Sequence, residues 1–388
     1  MPDLDPIPGC KQSYGKAERA ALLEAFDSGR IARGPRVKAF EAALCSRLGA
    51  SHGVVCSNGT TALELALRAL GIGPGDEVLV PTLSWLASAS AIRVLGAEPV
   101  FVDIDPVTHN VSPATVERAW TPRAKALIAV DMAGVPCDLE GLRSSADSHG
   151  AYLIEDAAHA LGAAHANGLP VGGDGHAHAT TFSFHPAKTI TTGEGGLVTT
   201  PDPELADRMA RMRSGGLTRD FEASRGSWDY LSEDLGSNLH MTELQAALGL
   251  AQLERMDELV ARRQSAGLAL MDGLAGVPGL LLPQHPSGSS WNLFLCEIEN
   301  QTDREGLRDR VVQRLQRAGI GVHVHYPLLH RQPVFGATAY ESELPSAVRY
   351  FDRTFTLPLF PDLTSAEIQR IVRETQAAID AECAAPSH

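Results

Sequence analysis

Seven short runs of apolar and β-branched residues, separated by stretches with helical spacing, constrain the fold of this chain most strongly. Several runs are apolar at consecutive positions, as expected for strands that helices cover on both faces. Alternation of such strands with helices predicts an α/β fold with a mostly parallel sheet. The predicted strands are Gly53–Cys56, Glu77–Val80, Pro99–Val102, Ala126–Val130, Tyr152–Ile154, Thr180–Phe184 and Gly196–Thr199.

The length of 388 residues indicates more than one domain, because single cores rarely grow beyond about 250–300 residues. We predict an N-terminal arm and a large domain over residues 1–250, and a linking helix with a smaller α+β domain over residues 251–388. One long helical pattern covers Met241 to Leu270, with an apolar stripe at Leu244, Leu248 and Ala251. After it we predict a strand at Leu293–Ile298 and helices at Arg304–Ala318 and Ser365–Ala378.

The net charge of −14, from 33 basic and 47 acidic residues, argues against binding to nucleic acid or to an anionic membrane. No apolar run reaches the roughly 20 residues of a bilayer span, and the start of the chain lacks the pattern of a secretory signal. The six cysteines are scattered without a CxxC pair, which favours reduced thiols over disulfides or zinc. Together these features predict a cytoplasmic protein. The cysteines are Cys10, Cys45, Cys56, Cys137, Cys296 and Cys383.

Lys188 follows a predicted strand in the segment TTFSFHPAKTITTGEGGLVTT, residues 180–200. A lysine just beyond a strand end, in a loop of small residues, lies where α/β proteins place reactive groups. It is either a Schiff-base nucleophile or a surface side chain in a hairpin. This segment alone leaves both interpretations open.

Asp156 ends the apolar strand of the segment YLIEDAAHALG, residues 152–162. A carboxylate at the end of a buried strand is costly unless it meets a cation. The protonated ring nitrogen of pyridoxal phosphate (PLP) would be such a cation. The alternative is an aspartate that caps the next helix.

A third segment, SNGTTALELALRAL at residues 57–70, joins a strand to a helix through small and hydroxyl-bearing residues. Free N–H groups at a helix N-terminus, with glycine for close approach, can bind a phosphate. An ordinary helix cap is the alternative. The absence of GxGxxG and GxxxxGK[ST] patterns makes dinucleotide and P-loop sites weak candidates.

The order of these three segments along the chain, a phosphate-binding turn, then a carboxylate, then a lysine, resembles that of a fold-type-I PLP enzyme. The chain is more closely similar to the DegT-type sugar aminotransferases, from about Gly15 to Ala378. The matching segments, in chain order, are SGRIARGPRVKAFE, SNGTTALELAL, GIGPGDEVLVPTLSWLASASAI, PVFVDID, EDAAHALGA, FSFHPAKTITTGEGG, LGSNLHMTELQAALGLAQL, HVHYPLLHRQP and LPLFPDLT.

The resemblance implies catalytic roles for three residues. Lys188 would form the Schiff base with PLP and, once released, would move the proton during transfer. Asp156 would pair with the ring nitrogen. His159, one helical turn later, would face the phenolic oxygen of the ring; a structural histidine is the alternative.

The resemblance also implies the remaining cofactor contacts. Gly59, Thr60 and Ser183 would bind the phosphate, and Trp85 would stack on the ring, although a tryptophan among small residues is more often in the core. Asn238 would reach the phosphate of a neighbouring subunit. A homodimer with shared active sites follows from that position.

The activity implied by the resemblance is ping-pong transamination. Glutamate or glutamine would give its amine to PLP, and a nucleotide-linked keto-sugar would then accept it. The alternative acceptor is a free keto-cyclitol or an aminoglycoside-type ketone. A PLP-dependent sugar dehydratase is disfavoured because Lys188 is present. A PLP-binding regulator is disfavoured because no DNA-binding extension is present.

Two departures from the family pattern fall in loops that line the acceptor pocket of relatives. Gly215 stands where the family often has histidine, and His240 stands where it often has arginine. Without a permanent cation at position 240, the case for a nucleotide diphosphate bound there is weaker. We hypothesise that some of four nearby arginines neutralise an anionic acceptor instead; a solvated surface is the alternative. The four are Arg211, Arg213, Arg219 and Arg225.

Three histidines in GVHVHYPLLHRQP also invite a metal interpretation, because alternation would place His323 and His325 on one strand face. A loop that closes over the substrate, as in the family, is the preferred interpretation of this segment and of His330. We predict no metal site.

Overall fold

The computed structural model describes residues 5–173, 175–218, 230–299, 306–336 and 340–383. A seven-stranded sheet forms its centre. Six of the seven predicted runs lie within its strands, and the seventh, Thr180–Phe184, extends one residue beyond the end of its strand at Ser183. The spatial order is β1-β7-β6-β5-β4-β2-β3, and only β7 is antiparallel to its neighbours. The predicted α/β fold with a mostly parallel sheet is therefore confirmed. The strands are β1 His52–Cys56, β2 Glu77–Pro81, β3 Glu98–Val102, β4 Ala124–Val130, β5 Tyr152–Asp156, β6 Ala179–Ser183 and β7 Gly196–Thr200.

Helices cover both faces of this sheet, as the continuous apolar runs predict. In β2, Val78 and Val80 pack into one apolar cluster, and Leu79 between them packs into another on the opposite face. The helices of this part of the chain are α1 Lys16–Asp27, α2 Pro35–Leu48, α3 Gly59–Ala69, α4 Leu86–Val94, α5 Pro113–Val116, α6 Leu139–Ser148 and α7 Pro203–Met212.

Local sequence signals explain where α2 begins and ends. Pro35 occupies the first turn, where its missing N–H costs nothing. Gly49 follows the last residue with φ of 68°, a left-handed conformation that favours glycine, and its N–H donates to the Cys45 oxygen.

The single helical pattern predicted from Met241 to Leu270 is two helices, α8 Glu243–Glu254 and α9 Met256–Leu274. The chain turns at Arg255, where φ is −99° and ψ is 5°. Periodicity missed the break because both helices carry apolar residues at helical spacing. At this turn the Arg255 guanidinium donates to Glu18 Oε1 in α1 at 2.6 Å.

The C-terminal part holds a three-stranded antiparallel sheet in the order β10-β11-β12, which confirms the predicted α+β architecture. Its apolar cluster also includes Ile7 from the N-terminal arm, whose N–H donates to the Gly319 oxygen at 2.9 Å. The division at residue 250 stays a prediction. The remaining elements are β8 Leu217–Thr218, β9 Leu231–Ser232, β10 Leu280–Leu281, β11 Phe294–Ile298, α10 Leu307–Arg317, α11 Pro345–Phe351, β12 Thr354–Leu357 and α12 Ser365–Cys383.

None of the helices among the described residues combines the length and apolar character that a bilayer span requires.

Candidate active site

A cavity of about 480 Å³ opens at the carboxyl edge of the central sheet. Val130, Asp156 and Ser183, the last residues of β4, β5 and β6, line it. Parallel strands bring these ends together, which is why ligand sites of α/β proteins lie there. His325 and Tyr326 from the C-terminal part complete the wall. The predicted residues among the lining are Gly59, Thr60, Trp85, Asp156, His159, Ser183 and Lys188.

Lys188 is held through its backbone. Gln12 Nε2 donates to its main-chain oxygen at 2.8 Å and Arg263 Nη2 at 3.2 Å. Loss of hydration lowers the pKa of the Lys188 amine to about 8; Asp156 opposes this shift and Arg263 adds to it. The amine is therefore far closer to its neutral, nucleophilic form at physiological pH than an ordinary lysine is.

Asp156 is 5% exposed, and both of its carboxylate oxygens accept hydrogen bonds. Ser88 Oγ donates to Oδ2 at 2.9 Å, and the Ala158 N–H donates to Oδ1 at 3.2 Å. Burial raises the pKa of Asp156, while Ser88, Ala158 and Lys188 oppose the rise. The fixed carboxylate can therefore serve as a partner for a cationic ring nitrogen in the cavity.

His159 is also buried, and its Nε2 lies 3.0 Å from the Tyr326 hydroxyl. Its Nδ1 is buried without a hydrogen-bond partner among the described residues. Desolvation, with the charges of Lys188 and His325, keeps the pKa of His159 well below its usual value. The imidazole is therefore neutral.

The N-terminus of α3 forms a narrow cradle against the end of β6. Asn58 caps the helix, because its Oδ1 accepts from the Thr61 N–H at 2.9 Å. A Cβ on Gly59 would lie 2.8 Å from Ser183 Cβ, so this close approach requires glycine. The first-turn N–H groups and the Ser183 hydroxyl face a space suited to an anion.

Trp85 precedes α4 and is 61% exposed, so it is not a core residue. Its ring lies 5.8 Å from the Tyr326 ring, centroid to centroid. An exposed aromatic at the wall of the cavity is available for stacking on a planar ligand.

Asn238 does not line the cavity formed by its own chain. It pairs with Ser214 in an isolated antiparallel bridge. This is the one predicted cofactor residue that the structure does not bring to the others.

Two of the four arginines considered for an anionic acceptor bind carboxylates of this chain. Arg211 Nε donates to Asp234 Oδ2 at 2.9 Å, and buried Arg213 donates from Nη1 to Glu41 Oε1 at 2.6 Å. These ion pairs give Arg211 and Arg213 partners within the chain, and the hypothesis that some of the four neutralise an anionic acceptor stays a prediction. Arg219 and Arg225 lie outside the described residues.

The three histidines of the loop do not converge on one point. His325 Nδ1 contacts Thr356 Oγ1 at 2.8 Å, whereas His330 bridges Thr82 and Glu341. His323 forms an isolated bridge with Thr356 and lies outside the named strands, so the expected strand is not present. The His323 and His325 rings nevertheless lie near each other, with centroids 5.8 Å apart.

Sequence reasoning missed Ser88, Tyr326 and Arg263 as members of the site. Ser88 and Tyr326 lie in segments that carry the family resemblance, and a polar side chain there was the available signal. Arg263 gave no signal, because it stands beside the ordinary surface residue Arg262 in a helix.

The sequence profile described as the DegT/DnrJ/EryC1/StrS aminotransferase family matches residues 12–376, nearly the whole chain. The chain belongs to this family. It is a PLP-dependent transaminase.

Relatives resemble the aminotransferase over almost its full length. The spore coat polysaccharide biosynthesis protein SpsC of Bacillus subtilis (strain 168) is 36% identical over 367 residues, covering 92% of this chain and 93% of SpsC. Among solved structures, the putative sugar aminotransferase Spr1654 from Streptococcus pneumoniae in its PMP-form is 30% identical, with TM-score 0.90 and coverage of 98% and 99%. DesV of S. venezuelae, solved with a ketimine intermediate, is 35% identical, with TM-score 0.83 and 93% of each chain covered.

Related structures solved in PLP- and PMP-forms identify pyridoxal phosphate as the cofactor of the aminotransferase, and the fold is that of fold-type-I enzymes, as predicted. The residues present fit this cofactor. His159, which lines the cavity, has an Nδ1 that is buried without a hydrogen-bond partner among the described residues, and the space at Gly59 is one that a Cβ would fill.

Proposed function

We propose that this aminotransferase moves an amino group from glutamate or glutamine to a keto-sugar, nucleotide-linked, in amino-sugar biosynthesis. The observation that carries the proposal is the cavity in which Lys188, with its lowered pKa, faces Asp156. The sugar acceptor is supported by relatives named for polysaccharide biosynthesis and as sugar aminotransferases.

The proposed mechanism is ping-pong, and bound PLP supplies the electron sink that lets a carbon-bound proton leave. Lys188 would bond to the cofactor and, once released by the donor amine, would take that proton and return it to the carbon on the other side of the shared nitrogen, a 1,3-shift. Asp156 would keep the ring nitrogen protonated. His159 would contact the phenolic oxygen.

The other contacts orient the cofactor. The N–H groups of Gly59 and Thr60 and the hydroxyl groups of Thr60 and Ser183 bind the phosphate without adding net charge. This arrangement suits an acidic chain that binds an anion. Trp85 would stack on the ring of the cofactor.

We also propose a homodimer with shared sites, in which Asn238 binds the phosphate held by the other subunit. Its position away from its own cavity supports this assignment. Leu235, three residues earlier, is 89% exposed, and Tyr230 and Leu231 are also exposed, so a partner surface there would bury apolar area. The assignment to a cytoplasmic enzyme with domains 1–250 and 251–388 belongs to the same proposal; the free thiols of Cys10, Cys45, Cys56, Cys137 and Cys296 support a reducing compartment.

One observation favours the alternative acceptor, which is a free keto-cyclitol or an aminoglycoside-type ketone. Among the described residues that line the cavity, Lys188 is the sole lysine or arginine. A nucleotide diphosphate would therefore need cations from elsewhere, whereas an uncharged ketone would not.

The test combines an acceptor screen with a half-reaction. Nucleotide-linked 3- and 4-keto sugars and free keto-cyclitols are each offered with glutamate or glutamine, and amine formation is measured. With donor alone, one equivalent of oxoacid per site and loss of the visible absorbance are expected. Oxoacid that appears only after an acceptor is added would rule out ping-pong transfer.

Lys188→Ala should keep the fold and lose multiple turnover. Lys125→Ala is the matched control, because Lys125 is exposed in β4 and far along the strand from the cavity edge. Sustained turnover by the Lys188 variant would contradict the mechanism.

A further inference from the structure

His159 and Tyr326 form a buried pair across 167 positions of the chain. The Tyr326 hydroxyl lies 3.0 Å from His159 Nε2, and the two rings are nearly parallel with centroids 6.0 Å apart. His159 is 5% exposed and Tyr326 is 9% exposed. The contact joins the turn after β5 to the loop contributed by the C-terminal part.

Each member of the pair carries one mobile proton at neutral pH. Burial, with the charge of Asp156, raises the pKa of the Tyr326 hydroxyl above its ordinary value. The pKa of His159 lies well below its usual value, for the reasons given above. The titratable groups that face the pair are Asp156, Lys188 and His325, and burial lowers the pKa of His325 to about 3.

The geometry decides which atom holds the imidazole proton. If Nε2 carried it, the tyrosine hydroxyl would accept that hydrogen bond and its own proton would need another acceptor. No other partner of the Tyr326 hydroxyl is present among the described residues. Donation from the hydroxyl to Nε2 satisfies both groups and leaves the proton on Nδ1.

We propose that Tyr326 is a positioning residue that fixes His159 as the Nδ1–H tautomer, so that Nδ1 presents a hydrogen-bond donor to an anionic oxygen in the cavity. Nδ1 is the buried atom that has no partner among the described residues. The inference rests on the proposed role of His159 at the phenolic oxygen of PLP. It assigns to Tyr326 the tautomer control that a hydrogen bond to one ring nitrogen exerts over the other.

The first test is a pH titration of the visible absorbance of the holoenzyme carrying Tyr326→Phe. A donor to the phenolic oxygen stabilises its negative charge, so losing the donor makes the oxygen more basic and the chromophore keeps its proton to higher pH. We expect the apparent pKa to rise by about one unit, the loss of one hydrogen bond. An unchanged titration would overturn the inference.

Tyr350→Phe is the matched control. Tyr350 is buried in the same apolar cluster as Tyr326 but does not line the cavity. Removing the Tyr350 hydroxyl should leave the apparent pKa of the chromophore unchanged. A shift as large as that of Tyr326→Phe would contradict a specific role for Tyr326.

His159→Gln tests the tautomer itself, because a side-chain amide N–H donates without any choice of tautomer. Adding Tyr326→Phe to this variant should leave the titration within a few tenths of a unit. A shift of equal size in both backgrounds would mean that Tyr326 acts on the cofactor by another route, and would overturn the inference.

Two measurements separate this inference from the assignment of His159. If His159→Leu leaves the titration unchanged, the proposed placement of His159 fails and the inference fails with it. If His159→Leu shifts the titration whereas Tyr326→Phe leaves it unchanged, only the tautomer control fails. Imidazole ¹⁵N NMR of the wild-type holoenzyme needs no Tyr326 variant: a protonated Nδ1 signal that disappears in His159→Gln is expected, and a protonated Nε2 would overturn the inference.

Discussion

Arg263 donates a hydrogen bond from Nη2 to the main-chain oxygen of Lys188 at 3.2 Å. From Nη1 the same guanidinium donates to the main-chain oxygens of Asn292 at 3.1 Å and Leu359 at 3.2 Å. Arg263 is 2% exposed, and no carboxylate pairs with it among the described residues. One buried cation therefore joins the loop of the reactive lysine to two segments of the C-terminal part while it disfavours protonation of Lys188.

Replacing Arg263 by glutamine should lower the free energy of unfolding of the holoenzyme by about 3 kcal/mol or more. A glutamine is too short to reach three carbonyl groups, and hydrogen bonds to charged groups contribute about 1.5–3 kcal/mol each. Denaturant unfolding measures the change. Arg262→Gln, on the same helix, should stay within about 0.5 kcal/mol because its ion pairs with Glu258 and Asp362 are partly exposed. Equal losses in the two variants would contradict the role of Arg263.

The rate of PLP uptake by the cofactor-free protein should rise with pH, reach half its maximum near pH 8 and level off above it. Only the neutral amine of Lys188 bonds to the cofactor, and its pKa is about 8. Below that pH the neutral fraction falls about tenfold per unit. Asp156→Asn should move the midpoint to lower pH, because Asp156 raises the pKa of Lys188. Stopped-flow absorbance measures the rate; a plateau first reached near the ordinary lysine value would be inconsistent with the burial of this amine.

Gly59→Ala should weaken PLP binding with a smaller effect on folding. The new Cβ would lie 2.8 Å from Ser183 Cβ and 3.4 Å from its Cα, so the α3 cradle must widen. Overpacking typically costs about 1–3 kcal/mol, or about a tenfold to hundredfold rise in Kd. Equilibrium dialysis against PLP measures it.

Gly73→Ala is the control for this prediction, because nothing lies within 4 Å of a Cβ at that position and its φ is not positive. Its Kd for PLP should equal that of the unmodified chain. Equal Kd values for the Gly59 and Gly73 variants would argue against the cradle.

Glu18→Gln should destabilise the protein by about 2–4 kcal/mol at neutral pH. The buried Glu18 carboxylate accepts from Arg255 Nη1 at 2.6 Å, Gln252 Nε2 at 2.7 Å and the Gly15 N–H at 2.7 Å. Burial acts to raise the pKa of Glu18, but hydrogen bonds from its own backbone, Arg255, Gln252 and Gly15 outweigh it, and the pKa is lowered.

Since the folded pKa of Glu18 lies below the unfolded one, its contribution is present above the unfolded pKa and is lost as pH falls through the folded pKa. Thermal unfolding from pH 7 to pH 3 should therefore show the difference between Glu18→Gln and the unmodified chain shrinking on acidification. Glu24→Gln, an exposed pair with Arg36, should change little at either pH. A Glu18 effect that grows in acid would have the wrong sign.

The strands of the central sheet were predictable because their signal is local. A short continuous apolar run such as Val78 to Val80 is buried on both faces, as in a strand between two helical layers. The turn at Arg255 was not predictable, since the apolar spacing of α8 continues into α9. The bend is stabilised by contacts with Glu18, more than two hundred residues away in the chain.

The sequence by itself determined the family, the parallel sheet and the chemistry-bearing residues that follow its strands, including Asp156 and Lys188. The tertiary structure alone decided which distant partners those residues meet. The Tyr326 hydroxyl contacts His159, and Arg263 donates a hydrogen bond to Lys188, whereas Arg213 forms an ion pair with Glu41. Hydrophobic periodicity and motif spacing indicate which secondary structure a short segment prefers. Contacts between remote segments depend instead on strand order and on the packing of one buried side chain against another.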